Sequence, residues 1–321
     1  MYSPSELSLL INDELKKIDY PKSCDSLYDP IKYIIGLEAK RIRPLLLLLS
    51  CQLFSKNIKP AIYPALGIEL FHNFTLLHDD IMDSASLRRG HMTVHKKWNN
   101  NTAILSGDAM LVKSYELITT IDVRYIKDLL NVFNVAAIKV CEGQQFDLDY
   151  ESNKNVTISS YLKMIEYKTA VLLAASLKMG GIIGGASIKD QEFLYQFGKN
   201  IGIAFQLKDD LLDVFGDSNK FGKKIGGDIM KNKKTYLYLK AIELAKKDQK
   251  KELINRFSSI DESVEKINVV KSIFKDLNVD KLTLNLVAEY HNEAIQSLNS
   301  IDSTKKEHLI NITNQLIDRI N

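Results

Sequence analysis

The chain of 321 residues is long enough for one large domain or two of ordinary size, and its 45% of hydrophobic residues can form a substantial core. Its 43 basic and 40 acidic residues nearly balance, and it has no block of Lys/Arg of the kind that marks a nucleic-acid partner. The low counts of 15 glycines and 6 prolines argue against a loop-rich β-sandwich or barrel.

Apolar residues recur with a period of 3.6 along nearly the whole chain, and alternating strand signals are absent, which predicts an all-α protein. We find no linker long or polar enough to separate domains, so we predict a single domain over residues 1–321. Residues 84–101 and 216–232 are predicted loops. The predicted helices cover about 3–18, 24–36, 44–55, 60–83, 102–119, 122–147, 157–183 and 188–214, with shorter helices over 233–320.

Local signals set several helix ends. Ser3 or Ser5, with Glu6 nearby, can cap the first helix, and Pro44 suits the first turn of the third. The glycine pairs 180–181 and 184–185 are predicted to close the helix that begins near residue 157.

The cysteines and apolar runs indicate the compartment. Cys24, Cys51 and Cys141 are odd in number and lack metal or redox spacing, which predicts a reduced, cytoplasmic protein. The first residues do not form a signal peptide, and the apolar run 45–49 is too short to span a bilayer. We therefore expect no transmembrane segment.

Two acidic motifs of the form DDxxD lie about 130 residues apart, at 79–83 and 209–213. On a helix the first and last aspartates of each motif stand on one side, one turn apart. Crowded carboxylates repel one another, and a helix C-terminus disfavours them further, so a cation would stabilise each cluster. Oxygen-only donors select a hard ion such as Mg²⁺.

A charge run at a helix end is often only a solvated face. Two copies with the same spacing, each after a long apolar run, instead favour two clusters that face each other across a cavity. We therefore predict that several Mg²⁺ ions and a diphosphate bind between them.

Basic residues accompany the first motif and the start of the third helix. Arg88 and Arg89 follow the motif, and arginine has the fork geometry that fits phosphate oxygens, although these arginines could equally neutralise the aspartates. Lys40 and Arg43 precede an apolar helix. A cation at a helix N-terminus opposes the helix dipole, which favours a bound anion there. The alternative is that both side chains are simply solvated. His72 lies seven residues before Asp79 and so shares its helix face. It could belong to the same site or be an ordinary core histidine.

The second motif has its own polar neighbours. Gln206 lies three residues before Asp209, on the same helix face. Lys223 and Lys233 lie in or just after the predicted loop and could close over an anion as a lid, or be ordinary surface residues.

Three stretches, LLHDDIMDSASLRRG, FQLKDDLLDVFGD and GKKIGGDIMKNKKT, resemble the trans-isoprenyl diphosphate synthase (polyprenyl synthetase) family, of the short-chain type. The resemblance implies a helical bundle around a deep central cavity, usually a homodimer. It implies that isopentenyl diphosphate and an allylic diphosphate are condensed to farnesyl or geranylgeranyl diphosphate, with three Mg²⁺ ions in each active site.

Matching to these motifs implies specific roles for individual residues. The implied metal ligands are Asp79, Asp80, Asp83, Asp209, Asp210 and Asp213. The implied contacts to the allylic substrate or its diphosphate are Arg88, Lys168, Thr169, Gln206, Lys223 and Lys233. The implied isopentenyl diphosphate site is Lys40, Arg43, His72 and Arg89. The implied catalytic set is Asp79, Asp80, Asp83, Arg88, Lys168, Asp209, Asp210 and Lys223.

One departure from the family and one set of cavity residues bear on substrate binding and product length. The family often has Gly-Gly before the first basic motif, whereas this chain has Glu38-Ala39. The resemblance implies that Phe71, Phe74 and Thr75 form the cavity floor, where bulky residues stop elongation early. These aromatic residues could equally be ordinary core.

Two other enzyme-related readings remain. A terpene cyclase shares the fold and the first motif, but its second metal site normally mixes Asn, Ser/Thr and Glu. A non-catalytic subunit of a heteromeric synthase usually loses an aspartate motif, and this chain keeps both. Chain elongation is therefore the preferred function.

Overall fold

Helices dominate the computed structural model, which describes residues 2–153, 155–216, 226–259, 261 and 263–317. The first part of the chain forms α1 (Pro4–Lys16), α2 (Asp25–Gly36), α3 (Ile42–Phe54), α4 (Ile62–Met82), α5 (Val94–Lys97), α6 (Asn100–Thr119) and α7 (Val123–Ser152). The middle forms α8 (Ile158–Ile165), a π-helical turn (Glu166–Ala170), α9 (Val171–Gly184) and α10 (Ile188–Phe215). The last part forms α11 (Gly227–Met230), α12 (Tyr236–Leu244), α13 (Lys247–Ser258), α14 (Val264–Asp276), α15 (Val279–Asn299) and α16 (Glu307–Ile317). The predicted all-α class is confirmed.

The predicted start signals are used. Ser3 caps α1 in a reciprocal capping box with Glu6, because its hydroxyl accepts from the Glu6 N–H while the Glu6 carboxylate accepts from Ser3. Pro44 lies in the first turn of α3. The leucine run 45–49 of that helix is completely buried, so α3 is a core helix.

The segment 84–101, predicted as a loop, contains a short hairpin and the helix α5. Strands Leu87–Arg88 and His91–Met92 pair antiparallel, with Leu87 opposite Met92. The turn residues Arg89 and Gly90 have φ of 54° and 77°, the positive values that a two-residue hairpin turn requires. Two-residue strands are too short to show alternation, so periodicity could not find them.

Of the two glycine pairs predicted to close this helix, only the second lies at its end, whereas Gly180 lies inside α9 and packs against α3. A Cβ on Gly180 would overlap the Leu47 carbonyl oxygen of α3, and one on Gly184 would lie 2.7 Å from the Cys51 carbonyl oxygen. Both positions therefore need glycine so that α9 can approach α3 closely. Gly185, with φ of 90°, ends the helix.

The chain folds into two compact units, each built from several separate segments. The first unit is Met1–Phe133, Ser176–Glu192 and Ser303–Leu309, and the second is Asn134–Ala175, Phe193–Asp302 and Ile310–Asn321. The prediction of one domain over the whole chain stays a prediction. The first acidic motif lies in the first unit and the second motif in the second.

Each unit has its own apolar core. In the first unit α4 packs against both α3 and α6, and its residues Ala65, Leu66 and Ile68 are buried, as are the leucines of α3. In the second unit one cluster centres on Leu237, Leu253 and Phe274, and another on Tyr161, Ala204 and Leu207. Within the described ranges, none of the helices has the length and apolar character needed to cross a bilayer.

Candidate active site

The first acidic motif occupies the C-terminal turn of α4, as predicted. Asp80 is buried, and Arg88 reaches back from the hairpin to pair with it. The Arg88 Nε donates to both Asp80 carboxylate oxygens at 2.8 and 2.9 Å, and its Nη2 lies 2.6 Å from Oδ1. Asp83, which follows the helix, is exposed. In this state Arg88 neutralises Asp80, one of the two alternatives that the sequence left open.

Arg43 contacts His72, which lies on α4 seven residues before Asp79. The Arg43 Nη1 donates to the His72 Nε2 at 3.0 Å, so that ring nitrogen must accept and His72 is neutral. Burial lowers the pKa of His72 well below its usual 6.5, and the charges of Arg43, Arg89 and two further arginines lower it more. His72 is therefore held uncharged by a cationic surrounding.

Arg43 and Arg89 each have a buried hydrogen-bond donor that is not used within the described structure. The atoms Arg43 Nε and Arg89 Nη1 are buried and have no hydrogen-bond partner among the described residues. Burial lowers the pKa of Arg43 to about 10, so Arg43 stays charged at neutral pH, and burial also lowers the pKa of Arg89. Cations with buried, unsatisfied donors favour an anion. Lys40, the remaining predicted member of this group, is exposed on the preceding segment.

A buried ion pair fixes the backbone between Lys40 and Arg43. Arg41 Nη1 lies 2.7 Å from Glu69 Oε1, and both side chains are only 2% exposed. Arg41 also donates to the carbonyl oxygens of Ile35 and Leu37. Asn73 donates to the same Glu69 carboxylate at 2.9 Å. Sequence reasoning missed this pair, because nothing local distinguishes Arg41 from its basic neighbours.

The predicted chain-length residues lie one to two turns before the motif on α4. Phe71 is fully buried, 5.6 Å from the Phe74 ring and 5.1 Å from the Phe133 ring. Phe74 is half-buried and stacks edge-on to His78 at 4.8 Å. The Thr75 hydroxyl donates to the His72 carbonyl at 2.8 Å, so it is occupied by its own helix. Phe71 is thus buried in the core, while Phe74 is only partly buried.

The second acidic motif occupies the last turns of α10. Asp210 is buried and accepts hydrogen bonds from the Tyr161 hydroxyl and, at 3.0 Å, from the Gln206 amide. Thr169 donates to Gln206 at 3.0 Å, which extends the chain of hydrogen bonds to the π-helical turn. Burial and the charge of Asp228 raise the pKa of Asp210, an effect that a bound divalent cation would reverse.

The other two aspartates of this motif differ from Asp210. Asp209 is half-buried. Asp213 Oδ2 accepts from the Asp228 N–H at 2.9 Å, and its backbone carbonyl accepts from the Gly226 N–H at 2.7 Å. Asp213 therefore also anchors the chain that leads into α11.

A carboxylate of α7 joins the two predicted lysines. Asp147 Oδ2 lies 2.7 Å from Lys168 Nζ and 3.7 Å from Lys233 Nζ. Burial would raise the pKa of Asp147, but the charges of Lys233 and Lys168 and their hydrogen bonds hold it below its usual value. Sequence reasoning missed Asp147 and Tyr161; their only local signal is a polar group on the buried side of an amphipathic helix.

The structure brings most of the predicted polar residues of the second unit into one place. A small cavity of about 30 Å³ is lined by Lys168, Thr169, Gln206, Asp210 and Lys233, together with Tyr161, Met164 and Ile165. Lys223 lies outside the described residues, so its predicted role stays a prediction.

The donors of both motifs suit a hard cation. In the part of the chain that the structure describes, no three acidic, histidine or cysteine side chains converge closely enough to hold an ion by themselves. Mg²⁺, however, is usually held by one or two carboxylates together with substrate phosphates and water. Oxygen donors one turn apart on helices α4 and α10 fit that requirement.

Acidic oxygen donors, and cations with free buried donors beside them, are what an enzyme needs to bind a diphosphate and stabilise it as a leaving group. On an all-α scaffold, this chemistry agrees with the isoprenoid prenyltransferases that the sequence motifs resemble. The comparisons with known proteins agree. The family model for polyprenyl synthetase matches residues 24–277. The chain belongs to the polyprenyl synthetase family and is a trans-prenyltransferase.

Individual relatives extend the similarity over almost the whole chain. A geranylgeranyl diphosphate synthase of Methanosarcina mazei is 36% identical over 96% of this chain and 93% of its own length. A crystal structure of a geranylgeranyl pyrophosphate synthase is 43% identical, covers 100% of both chains and has a TM-score of 0.95. That of a geranylgeranyl pyrophosphate synthetase from Pyrococcus horikoshii is 32% identical over 98% of this chain and 97% of its own, with a TM-score of 0.92.

Proposed function

We propose that this trans-prenyltransferase condenses isopentenyl diphosphate with an allylic diphosphate and that its main product is geranylgeranyl diphosphate. The observation that carries the proposal is the pair Arg43 and Arg89, whose buried, unsatisfied donors adjoin a neutral His72 on the helix that bears the first acidic motif. The product assignment rests on the similar geranylgeranyl diphosphate synthases. Farnesyl diphosphate is the alternative product.

The two diphosphates are assigned to separate cations. Arg43 and Arg89, with Lys40, bind the diphosphate of isopentenyl diphosphate, and the Arg43 Nε and Arg89 Nη1 donors supply hydrogen bonds that no described residue uses. Lys168 and Lys233, with Thr169 and Gln206, bind the allylic diphosphate, and Lys223 joins them. Arg88 exchanges Asp80 for a phosphate oxygen when this substrate binds.

Mg²⁺ is the proposed cofactor, with three ions per site, held by Asp79, Asp80, Asp83, Asp209, Asp210 and Asp213. When bound, Mg²⁺ neutralises the diphosphate so that it can leave as an anion. The lysines and arginines share this neutralisation, and the apolar side chains of α4, among them Phe74, exclude water from the cation that forms.

We also propose a homodimer in the cytoplasm. Helix α6 presents an exposed apolar stripe, in which Ile104, Leu105 and Val112 are 42%, 59% and 68% exposed. A second copy of the chain would bury such a stripe. The three cysteines are free, as expected in a reducing compartment. Light scattering after size-exclusion chromatography measures the assembly; a monomeric mass at micromolar concentration contradicts the dimer.

The activity is tested by incubating the protein with isopentenyl diphosphate, Mg²⁺ and each allylic primer in turn. Dimethylallyl, geranyl and farnesyl diphosphate are the primers, and chromatography sizes the dephosphorylated products. We expect twenty-carbon product from each primer, and none when Mg²⁺ is chelated. Absence of any elongated product from all three primers overturns the proposed function, whereas a fifteen-carbon end product overturns only the product assignment.

A further inference from the structure

Asp147 of α7 lies between two lysines on different elements. Its Oδ2 atom is 2.7 Å from Lys168 Nζ on the π-helical turn and 3.7 Å from Lys233 Nζ on the segment before α12. The three side chains are 18%, 23% and 34% exposed, in the order Asp147, Lys168, Lys233. Solvent therefore screens these charges less than it screens surface ion pairs.

The packing of α7 places Asp147 opposite Lys168. Gly143, one turn earlier on the same face of α7, has no Cβ, and a Cβ there would overlap the Lys168 backbone. The backbone of the π-helical turn can therefore lie directly against α7. A π-helical turn also shifts the residues that follow it around the helix axis, and such turns are frequent at functional sites.

The same helix also holds the segment that carries Lys233. Lys234 Nζ donates to the carbonyl oxygens of Tyr150 and Glu151, at 2.6 and 2.9 Å. These carbonyls belong to the last turn of α7, where the helix dipole favours a cation. Helix α7 thus fixes Lys168 through Gly143 and Asp147, and fixes Lys233 through Asp147 and Lys234.

We propose that Asp147 is a positioning residue that holds Lys168 and Lys233 together as one two-pronged cation for the allylic diphosphate. The inference rests on the proposed function, in which both lysines bind that diphosphate. Two ammonium groups repel each other, and the shared carboxylate offsets this repulsion before any substrate arrives. Preorganised cations need no rearrangement when negative charge develops on the leaving diphosphate. Asp147 acts through the lysines and does not itself touch substrate.

The first test compares Asp147→Asn with the matched control Asp149→Asn in steady-state kinetics. Asp149 is an exposed carboxylate two residues away on the same helix, hydrogen-bonded to Gln145 and to neither lysine. We expect Asp147→Asn to lower kcat at least ~10-fold, because small misplacements of binding groups can cost up to ~10²-fold. The KM for isopentenyl diphosphate stays within about twofold, and the control keeps wild-type kinetics. Asp147→Glu, which restores the charge, recovers part of the loss.

A mutant cycle between Asp147 and the lysine pair separates positioning from other roles. If Asp147 acts through the two lysines, adding Asp147→Asn to the Lys168→Ala/Lys233→Ala variant slows turnover by no more than about twofold. Multiplicative losses in that triple variant, or a raised Mg²⁺ requirement in Asp147→Asn alone, overturn the inference, because they indicate an independent or metal-binding role. Thermal unfolding of every variant identifies any loss of kcat that comes from misfolding. If Asp147→Asn misfolds, Asp147→Glu is compared with wild type in its place.

The outcomes also distinguish this inference from the function on which it rests. Wild-type protein that elongates no primer removes the proposed function. Active wild-type protein together with an equally active Asp147→Asn variant removes the positioning role alone.

Discussion

The buried pair Arg41–Glu69 gives a stability prediction that the structure makes quantitative. Replacing Glu69 by glutamine keeps the shape of the side chain but removes the charge opposite a guanidinium that is 2% exposed. Breaking a buried ion pair by removing one partner costs about 3–5 kcal/mol, because the other charge stays buried without compensation. Arg41 keeps its two backbone carbonyl acceptors, so we expect a value near the lower end, about 3 kcal/mol.

Urea unfolding followed by tryptophan fluorescence measures this cost. The chain has a single tryptophan, Trp98, and it lies in the first unit together with Glu69. With a denaturant slope of ~2–3 kcal/mol per molar, a loss of about 3 kcal/mol lowers the midpoint by about 1 M. A loss of that size is a large share of the ~5–15 kcal/mol that stabilises most proteins.

The control is Glu116→Gln, which removes a carboxylate that is 61% exposed and pairs with Lys113 at the surface. It should change the unfolding free energy by less than about 0.5 kcal/mol. A Glu69→Gln variant that unfolds within about 1 kcal/mol of wild type would refute the reasoning. Because Arg41 lies between Lys40 and Arg43, the KM for isopentenyl diphosphate should also rise.

Three further predictions concern the site. The pKa of His72, followed by NMR, should lie below 6.5 in the free protein and rise when isopentenyl diphosphate binds, since an anion offsets the arginine charges. Because the pKa of His72 is lower in the folded than in the unfolded state, its contribution to the free energy of unfolding is present above pH 6.5 and is lost as the pH falls below that value. A pKa at or above 6.5 in the free protein contradicts this prediction. Asp79→Ala and Asp209→Ala should each lower turnover at least ~10²-fold, and near-normal turnover in either would remove the metal-binding role. Phe74→Ala should lengthen the product, and an unchanged product chromatogram would refute the assignment of this ring to the cavity floor.

The sequence predicted the features that depend on local chemistry. The helix pattern, the Ser3 cap, Pro44 and the place of both DDxxD motifs at helix ends all follow from residues within a few positions of one another. Arg43, His72 and Arg89 were grouped only through the family resemblance. The structure brings them together because α3, α4 and the hairpin belong to one unit.

The features that the sequence did not predict depend on distant segments. Gly180 is needed because Leu47 lies against it, and Asp147 matters because Lys168 and Lys233 come from elsewhere in the chain. Glu69 resembles a solvated helix residue until Arg41 is found beside it. A one-residue shift such as the π-helical turn leaves little trace in hydrophobic periodicity. Tertiary packing decides each of these cases.

The hairpin turn has a consequence for Arg89 itself. Its φ of 54° places a bulky L-residue in a conformation that costs roughly 1–2 kcal/mol and that glycine adopts freely. The proposed binding of isopentenyl diphosphate is a reason to retain arginine, since the Arg89 guanidinium supplies a buried donor, Nη1, that no described residue satisfies. At this residue the backbone conformation favours glycine, whereas ligand binding favours arginine. Arg89→Gly should therefore give a more stable but less active enzyme.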